Sequence, residues 1–226
     1  PGDATGDIHK FTKGLAEASE KYGVKYLFGM EVTDVKHHKK GVTVLYHASN
    51  ENMHLDAAVV ESLEADAVVV CGGVGSYHLA NILGDRVNVY PVKGYSITLH
   101  LNDEESVRNA PWVSLLDESA KIVTSRLGAD RLRVAGTAEF NGYNRDIRAD
   151  RIQPLTDWVN KNFNITTENV VPWAGLRPMM PNMMPMVSRG RRERVFYNTG
   201  HGHLGWTLSA ATAVMISQQV ASQHPV

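Results

Sequence analysis

The sequence predicts a mixed fold, with α/β layers at the two ends of the chain and an antiparallel sheet in its middle. Two stretches, 67–83 and 195–219, each consist of a buried strand, a glycine turn and a helix, which is the order found in α/β layers. Between them, five strand-like stretches separated by turn signals follow one another from 87 to 140. Consecutive strands of that kind pair antiparallel, so we expect the middle to be an insertion between two parts of one domain.

The elements before the first glycine turn follow from local patterns. Asp7 is placed to cap the start of an amphipathic helix, and Gly23 is placed to end it. Residues 25–28 are predicted to be a short strand, and the alternation at 42–46 predicts another with one buried face. Residues 49–65 have weak periodicity and are predicted to be an irregular surface excursion.

The later elements are read in the same way. A short helix is predicted at 76–83, an amphipathic helix at 152–163 and a strand at 195–198. The helix predicted at 206–219 is rich in small residues and has no polar face. A helix of that composition is expected to be buried all round.

Composition excludes several classes of protein. The chain has 226 residues, 43% of them hydrophobic and 21% charged, with a net charge of −1. These values are typical of an ordinary globular protein, and the charge gives no reason to expect nucleic acid as a partner. Cys71 is the only cysteine, which excludes an intrachain disulfide and suits a reducing compartment. No apolar run reaches the length of about 20 residues that crosses a bilayer, and no signal peptide is recognisable.

The strongest local signal is the glycine-rich loop TGHGHLGWT at 199–207. Its glycines let the backbone approach a ligand closely, and the helix that follows directs unpaired N–H groups and the positive end of its dipole to that place. Such a site favours an anion or a developing negative charge. A tight turn before a buried helix, with no ligand, explains the same pattern equally well.

Two histidines in this loop raise a second alternative. His201 and His203 form an H-x-H pair, and two histidines at that spacing can share a metal ion when the loop is extended. A site needs a third ligand, and no carboxylate or cysteine lies near them in the sequence. We therefore predict no metal site, and keep a metal-dependent hydrolase only as an alternative.

The second signal is VVVCGGVGS at 68–76, a buried strand that enters a glycine turn and a helix. It resembles a nucleotide-binding turn. It does not complete the G-x-G-x-x-G pattern, because His78 occupies the third glycine position. A turn where the backbone meets a cofactor and a plain strand-to-helix turn both fit these residues.

The third signal is WAGLRPMMPNMMPM at 173–186, an apolar segment stiffened by three prolines. Arg177 lies within it. A planar guanidinium among apolar residues is suited to bidentate recognition of a carboxylate. A structural ion pair is the alternative role for Arg177.

These stretches together, in this order, resemble the D-amino acid dehydrogenase small-subunit family, within the wider D-amino acid oxidase-like flavoprotein superfamily. The matching pieces are GDATGDIHKFTKGLA, ADAVVVCGGVGS, YPVKGYSITL, WAGLRPMMP and NTGHGHLGWTLS. The resemblance implies an FAD enzyme that oxidises an amino acid, a D-amino acid or a secondary amine, to an imino acid by hydride transfer to flavin. It also implies a membrane quinone or another member of the respiratory chain as electron acceptor, and a cytoplasmic enzyme peripheral on the inner membrane.

The resemblance assigns roles to individual residues. Arg177 would bind the substrate carboxylate, and Tyr95 and Tyr143 are further candidates for the substrate pocket. Val32 would touch the adenine side of FAD through its backbone. The ADP portion would lie along Cys71, Gly72 and Gly73.

The glycine-rich loop has its own role in this resemblance. Its backbone would contact the pyrimidine end of the isoalloxazine, and the helix dipole would stabilise the anionic reduced flavin. The residues concerned are Gly200, His201, Gly202, His203, Leu204, Gly205, Trp206 and Thr207.

The sequence also departs from the family. The family's PMTPDG is PMMPNM here, with Met180, Asn182 and Met183 as the changed residues, and His203 replaces a threonine. The family's N-terminal G-x-G-x-x-G turn, which holds the pyrophosphate, is absent from a chain that begins at Pro1. We therefore expect a C-terminal portion of a longer enzyme, lacking an N-terminal segment or a partner chain, and on its own inactive and weak in FAD binding.

The expected organisation has three segments. Residues 1–88 and 176–226 are expected to form parts of the FAD-binding α/β domain, and residues 89–175 an antiparallel substrate domain with one helix. A non-catalytic binding or scaffold subunit, which completes a flavin site on another chain, is the alternative function.

Overall fold

The computed structural model describes residues 4–49 and 59–223. The helices are α1 (Ile8–Glu20), α2 (Ser76–Ile82), α3 (Glu104–Asn109), α4 (Ala149–Asn162) and α5 (Gly205–Gln223). The strands are β1 (Met30–His38), β2 (Gly41–Ala48), β3 (Glu61–Ala65), β4 (Val68–Val70), β5 (Tyr90–His100), β6 (Leu116–Asp117), β7 (Ile122–Arg126), β8 (Arg131–Glu139), β9 (Val170–Met179), β10 (Met186–Arg189) and β11 (Val195–Thr199).

The chain forms two compact units, each made of two stretches of sequence. The first unit comprises Pro1–Tyr22 and Pro91–Leu176, and the second comprises Gly23–Tyr90 and Arg177–Val226. The helix near the N-terminus thus groups with the middle of the chain. The division into FAD-binding segments and a substrate segment stays a prediction.

An ion pair explains why the N-terminal helix joins the first unit. Asp7 caps α1, and its Oδ1 accepts the backbone N–H groups of His9 and Lys10 at 3.1 and 3.3 Å. Its Oδ2 lies 3.1 Å from the guanidinium of Arg131 in β8. The cap predicted from the sequence therefore also fastens the helix to the sheet.

The first unit is built on a five-stranded sheet in the order β6-β7-β8-β5-β9. Strands β6, β7, β8 and β5 pair antiparallel, as the sequence predicted for this region. Helix α4 packs on the sheet through Leu155 and Val159, one helical turn apart and both fully buried. They complete a core whose strand residues include Ile97, Leu99, Leu132 and Val134.

The second unit contains two three-stranded sheets. One is antiparallel in the order β1-β2-β3, and the other has the order β10-β11-β4. In the latter, β11 pairs antiparallel with β10 and parallel with β4. The predicted fold class, α/β layers together with an antiparallel sheet, is therefore confirmed.

A buried carboxylate helps to hold the second unit together. Asp85 accepts a hydrogen bond of 2.8 Å from the hydroxyl of Tyr197 and one of 3.0 Å from the backbone N–H of Arg191. Burial, followed by this carboxylate, raises the pKa of Tyr197, so the tyrosine remains a neutral donor. The contact joins the end of the α2 segment to β11.

Two local predictions in the second unit were wrong. Residues 25–28 form no strand, and the stacked rings of Tyr26 and Phe28, 5.3 Å apart, lie outside any sheet. Residues 61–65, predicted to be irregular, form strand β3, which pairs with β2. The rest of that predicted excursion falls largely on 50–58, outside the described residues.

Helix α5 is not buried all round, contrary to prediction. Along it, Thr212 and Ile216 are buried, whereas Val214 and Met215 are about half exposed. Thr212, Ile216 and Gln219 lie on one face, and Gln219 donates to the backbone oxygen of Val187 in β10. Only that stripe faces the three-stranded sheet, which is why most of the helix remains exposed. No helix in the described part of the chain combines the length and apolar character of a membrane span.

Candidate functional site

Two glycine turns meet at one edge of the β10-β11-β4 sheet. Strands β4 and β11 are parallel, with Val70 opposite Tyr197, so their carboxyl ends lie at the same edge. The turn at 71–75 follows β4 and leads into α2, and the turn at 200–204 follows β11 and leads into α5. The carboxyl edge of parallel strands is where open α/β sheets bind ligands.

Two buried hydroxyl groups join the turns. The Oγ of Ser76 lies 2.7 Å from the Oγ1 of Thr199, and Thr199 donates to the backbone oxygen of Gly73 at 3.3 Å. Because the Thr199 proton is used toward Gly73, the Ser76 hydroxyl donates to Thr199. This relay fixes the start of α2 against the end of β11.

The proline- and methionine-rich segment lies against the second glycine turn. Gly200 and Gly202 have positive φ angles of 77° and 58°, and a Cβ at Gly200 would stand 2.5 Å from the Cγ of Met180. The N–H of Gly202 donates to the backbone oxygen of Pro178 at 3.0 Å. Both glycines are therefore required, by backbone conformation and by the close approach of the neighbouring segment.

His201 is committed to an internal hydrogen bond. Its Nε2 lies 3.0 Å from the Oγ1 of Thr212, whose hydroxyl lies 3.2 Å from the backbone oxygen of Leu208. Burial lowers the pKa of His201, which keeps the ring neutral at neutral pH. Within the described residues, no cluster of three histidine, cysteine, aspartate or glutamate side chains is arranged to hold a metal.

The start of α5 places backbone N–H groups at this edge of the sheet. The N–H of Leu208 bonds to the oxygen of Leu204, so the helix opens at Gly205 with Trp206 and Thr207 in its first turn. Amides of a first turn have no carbonyl one turn earlier in the helix, and they carry the positive end of its dipole. Leu204 and Trp206 are 43% and 45% exposed. His203 and Thr207 are also exposed, so the turn is accessible to a ligand.

The first glycine turn is also open. Gly73 has a φ of 55°, and a Cβ there would have nothing within 4 Å. Asn198, next to the end of β11, has a buried Oδ1 without a partner among the described residues. Cys71 is exposed, and desolvation raises the pKa of its thiol despite a bond from the backbone of Asn198, so it is not a reactive thiolate.

Arg177 lies beside the second glycine turn. It precedes Pro178, which accepts the Gly202 hydrogen bond, and Met179, which forms a bridge with His201. Arg177 is partly buried, and burial lowers the pKa of its guanidinium, although not enough to remove its charge. The structure thus brings the predicted carboxylate-binding residue next to the predicted flavin loop.

Val32 and Gly72 complete the predicted cofactor residues. Val32 lies in β1 opposite Tyr46, beside an irregularity in the pairing, and is 37% exposed. It belongs to the antiparallel sheet of the second unit rather than to the sheet with the glycine turns. Gly72 lies in the first turn, where an added Cβ would stand 3.4 Å from both the Leu79 side chain and the backbone nitrogen of Ser76.

Tyr95 and Tyr143 belong to the first unit and differ in exposure. Tyr95 is 1% exposed, within the core, and its hydroxyl donates to Glu139 at 2.5 Å. Tyr143 is 55% exposed and lies in the irregular segment 140–148, between β8 and α4. Their predicted contact with a substrate stays a prediction.

A buried charged cluster around Tyr95 was missed by the sequence reasoning. Lys93 is fully buried and its Nζ lies 2.9 Å from Glu139 Oε2, while Arg148 lies 3.0 Å from Glu139 Oε1. Lys93 and Tyr95 occupy one face of β5, two residues apart. A lysine among the apolar residues of YPVKGYSITL was the available signal, because a lysine is rarely buried without a partner.

The partners of Glu139 hold it in its charged form. Hydrogen bonds from Tyr95 and Lys93, with the nearby charges, lower the pKa of Glu139 to about 2. Burial tends to lower the pKa of Lys93, but bonds with Glu139 and Tyr95 outweigh it and raise that pKa. The pair is therefore ionised at neutral pH.

This cluster predicts a specific acid response. A lowered folded-state pKa stabilises the protein above the unfolded value, near 4.5, and that contribution disappears as pH falls toward about 2. We expect Glu139→Gln to be less stable than the wild type at neutral pH, with the gap closing over that interval. Urea unfolding followed by tryptophan fluorescence at a series of pH values measures the gap. Glu118→Gln, at an exposed ion pair with Lys121, is the control, and a gap for Glu139→Gln that does not vary with pH would contradict the prediction.

The sheet edge and its flanking segments define a mixed α/β protein whose candidate ligand site lies at the carboxyl ends of its parallel strands. The chain belongs to the FAD dependent oxidoreductase family, whose model matches residues 1–219. The family resemblance seen in the motifs is thereby confirmed.

Curated relatives carry a more specific name. The chain is 55% identical over 227 residues to D-amino acid dehydrogenase 3 of Mesorhizobium japonicum, covering 100% of this chain and 53% of that protein. It is 38% identical over 226 residues to the D-amino acid dehydrogenase of Dechloromonas aromatica, covering 99% and 51%. The chain spans about half the length of the curated relatives it matches.

Solved structures share the fold. Glycine oxidase of Geobacillus kaustophilus matches with a TM-score of 0.76 and 19% identity, over 93% of this chain and 53% of that one. Iminodiacetate oxidase of a Chelativorans species matches with a TM-score of 0.75 and 18% identity, over 96% and 55%. At these identities the likeness concerns the fold alone.

Proposed function

We propose that the protein containing this chain oxidises a D-amino acid to an imino acid, with FAD as its cofactor. The observation that carries the proposal is the position of Arg177 beside the glycine turn at 200–204, at the edge where two glycine turns meet. A carboxylate-binding cation next to a cofactor loop is what this reaction requires. The D configuration rests on the names of the relatives.

The residues of the second unit fit a bound polar cofactor. Gly73 leaves open space at the first turn, and Asn198 offers a buried acceptor without a partner among the described residues. Cys71, Gly72 and Gly73 would lie along the ADP portion, and Val32 would meet the adenine side through its backbone. FAD would supply the acceptor for the hydride that leaves the substrate Cα.

The second turn would hold the reactive end of the cofactor. The backbone of 200–207 would approach the pyrimidine side of the ring, which the glycines permit by their positive φ angles. The first turn of α5 would favour negative charge there through its amides and dipole. His201, neutral and bonded to Thr212, would keep the loop in shape rather than act on the substrate.

The substrate would be held by its carboxylate. The Arg177 guanidinium, already partly desolvated, would bind it through two parallel hydrogen bonds and fix the direction of the Cα–H bond. Tyr143, with its exposed ring, and Tyr95 are the further candidates for contact with the substrate. The imino acid then hydrolyses to a keto acid and ammonia.

The remaining parts of the proposal concern the cell. We infer a membrane quinone or another respiratory-chain carrier as electron acceptor, and a cytoplasmic enzyme peripheral on the inner membrane. Neither nucleic acid nor a metal takes part.

The test uses the full-length protein that contains this chain. We expect visible flavin bands in the purified protein, bleached under anaerobic conditions by D-amino acids and not by their L enantiomers. A quinone-like dye should then restore the bands. Flavin that resists every D-amino acid would contradict the substrate, and protein without flavin would favour the alternative, a non-catalytic binding or scaffold subunit.

A further inference from the structure

We propose that Lys93 is a positioning residue for the substrate pocket, acting through the segment 140–148 that carries Tyr143. The inference rests on the proposed function, since Tyr143 is a candidate pocket residue only there. Lys93 itself is fully buried, so it acts on the substrate through another residue rather than by contact.

The three donors of the Lys93 ammonium are all engaged. One goes to Glu139 at 2.9 Å. The other two cross to the segment, to the side-chain oxygen of Asn144 at 2.9 Å and the backbone oxygen of Asp146 at 3.1 Å. An ammonium has only three N–H groups, and two of the hydrogen bonds that Lys93 makes go to the segment.

The pairing of the strands creates this arrangement. Lys93 lies opposite Glu139 and Tyr95 lies opposite Gly136, so β8 holds one extra residue between these pairs. Thr137, within that bulge, has a positive φ of 59°. A bulge redirects side chains at a strand end. Here it allows Glu139, the last residue of β8, to bond with both Lys93 and Tyr95.

The segment has no regular secondary structure of its own. It is shaped locally by Asn144, whose Oδ1 accepts the N–H of Asp146 at 3.0 Å and whose amide donates to the Asp146 carboxylate at 2.8 Å. The same Oδ1 accepts from Lys93. The Lys93 ammonium is therefore hydrogen-bonded to the turn at Asn144–Asp146, which directly follows Tyr143.

Burying an ammonium and a carboxylate is costly, and a well-packed apolar pair serves stability as well or better. A buried pair is better suited to fixing one conformation than to raising stability. The Lys93 hydrogen bonds hold the segment that carries Tyr143 in one conformation. Without it, the segment loses two hydrogen bonds to the sheet, and the exposed tyrosine ring moves with it.

The first experiment reads the segment directly, in the full-length protein. In Lys93→Met, amide hydrogen exchange of 141–147 should be faster by about tenfold or more, as for a segment that opens locally. Lys121→Met, at an exposed surface ion pair, should leave it unchanged. Asn144→Ala removes the hydrogen bond from Lys93 to the Asn144 side chain and keeps the ion pair of Lys93 with Glu139. Its amide exchange therefore tests the proposal if Lys93→Met fails to fold. Unchanged exchange in the variants would overturn the proposal.

The second experiment reads the substrate. We expect Lys93→Met to raise KM for a D-amino acid by about tenfold with a much smaller change in kcat, as for misplaced binding contacts. In the Tyr143→Ala background the same substitution should add little, because the two residues act as one unit. Fast exchange with an unchanged KM, or full additivity, would overturn the positioning role. A wild type that turns over no D-amino acid overturns the proposed function and this role with it, while the exchange result still decides whether Lys93 holds the segment.

Discussion

Gly200→Ala should release FAD and lower the melting temperature of the full-length protein. Gly200 has a φ of 77°, and the added Cβ would lie 2.5 Å from the Cγ of Met180. A non-glycine residue in that backbone region costs about 1–3 kcal/mol. Overpacking against a neighbour adds about 1–3 kcal/mol more. Because the flexible Met180 side chain can move aside in part, we expect a total destabilisation of about 4 kcal/mol, the middle of the summed range. The strain falls on the loop that is proposed to contact the cofactor.

Gly23→Ala is the matched control for this substitution. Gly23 has a φ of 86° and open space around its missing Cβ, and it belongs to the same unit as Gly200. It measures the backbone cost without the clash. The ratio of flavin to protein absorbance gives occupancy, and thermal unfolding gives stability. Equal losses of flavin occupancy and of thermal stability in the two variants would contradict a contribution from the contact with Met180.

Arg177→Met should raise KM for D-amino acids strongly. Loss of a hydrogen bond to a charged group costs about 1.5–3 kcal/mol, which corresponds to a factor of about 10 to 150 in the apparent affinity. Methionine fills a similar volume, so the partly buried site should retain its packing. Steady-state kinetics with a dye acceptor separates KM from kcat.

An uncharged substrate sharpens this test. A D-amino acid amide lacks the carboxylate, so Arg177→Met should change its kcat/KM far less than that of the parent acid. Arg86→Met, at an exposed arginine bonded to Asn88, should affect neither. Equal losses for acid and amide would remove Arg177 from carboxylate recognition and assign it a structural role.

The sequence predicted the elements around the candidate site correctly wherever local chemistry determines the structure. Strand, glycine turn and helix at 68–76 and 195–207 follow from apolar runs and from glycines that hold positive φ angles, such as Gly200 and Gly202. The Asp7 cap is equally local. Each of these features depends on neighbours a few residues away, so the pattern in the sequence contains what is needed.

The features that were missed depend on distant partners. Tyr95 and Glu139 are 44 residues apart in the sequence, and in the bulge that brings them together the positive φ angle falls on Thr137 rather than on a glycine. Residues 25–28 have the composition of a strand but gain no sheet partner. The apolar pattern of α5 could not reveal that a three-stranded sheet covers only the stripe with Thr212 and Ile216.

The hydroxyl relay between Ser76 and Thr199 has a consequence for the order of folding. Its two residues are 123 positions apart, and at roughly 5–20 residues per second a ribosome needs about 6 to 25 s to make the chain between them. During that time β4 has no parallel partner, because β11 has not been made. Its apolar edge is a place where a chaperone or a second nascent chain can pair. Strands β5 to β8 are complete before β11 is made. The two glycine turns therefore come together late in biosynthesis, because they require parallel pairing of β4 with β11 across a long stretch of chain.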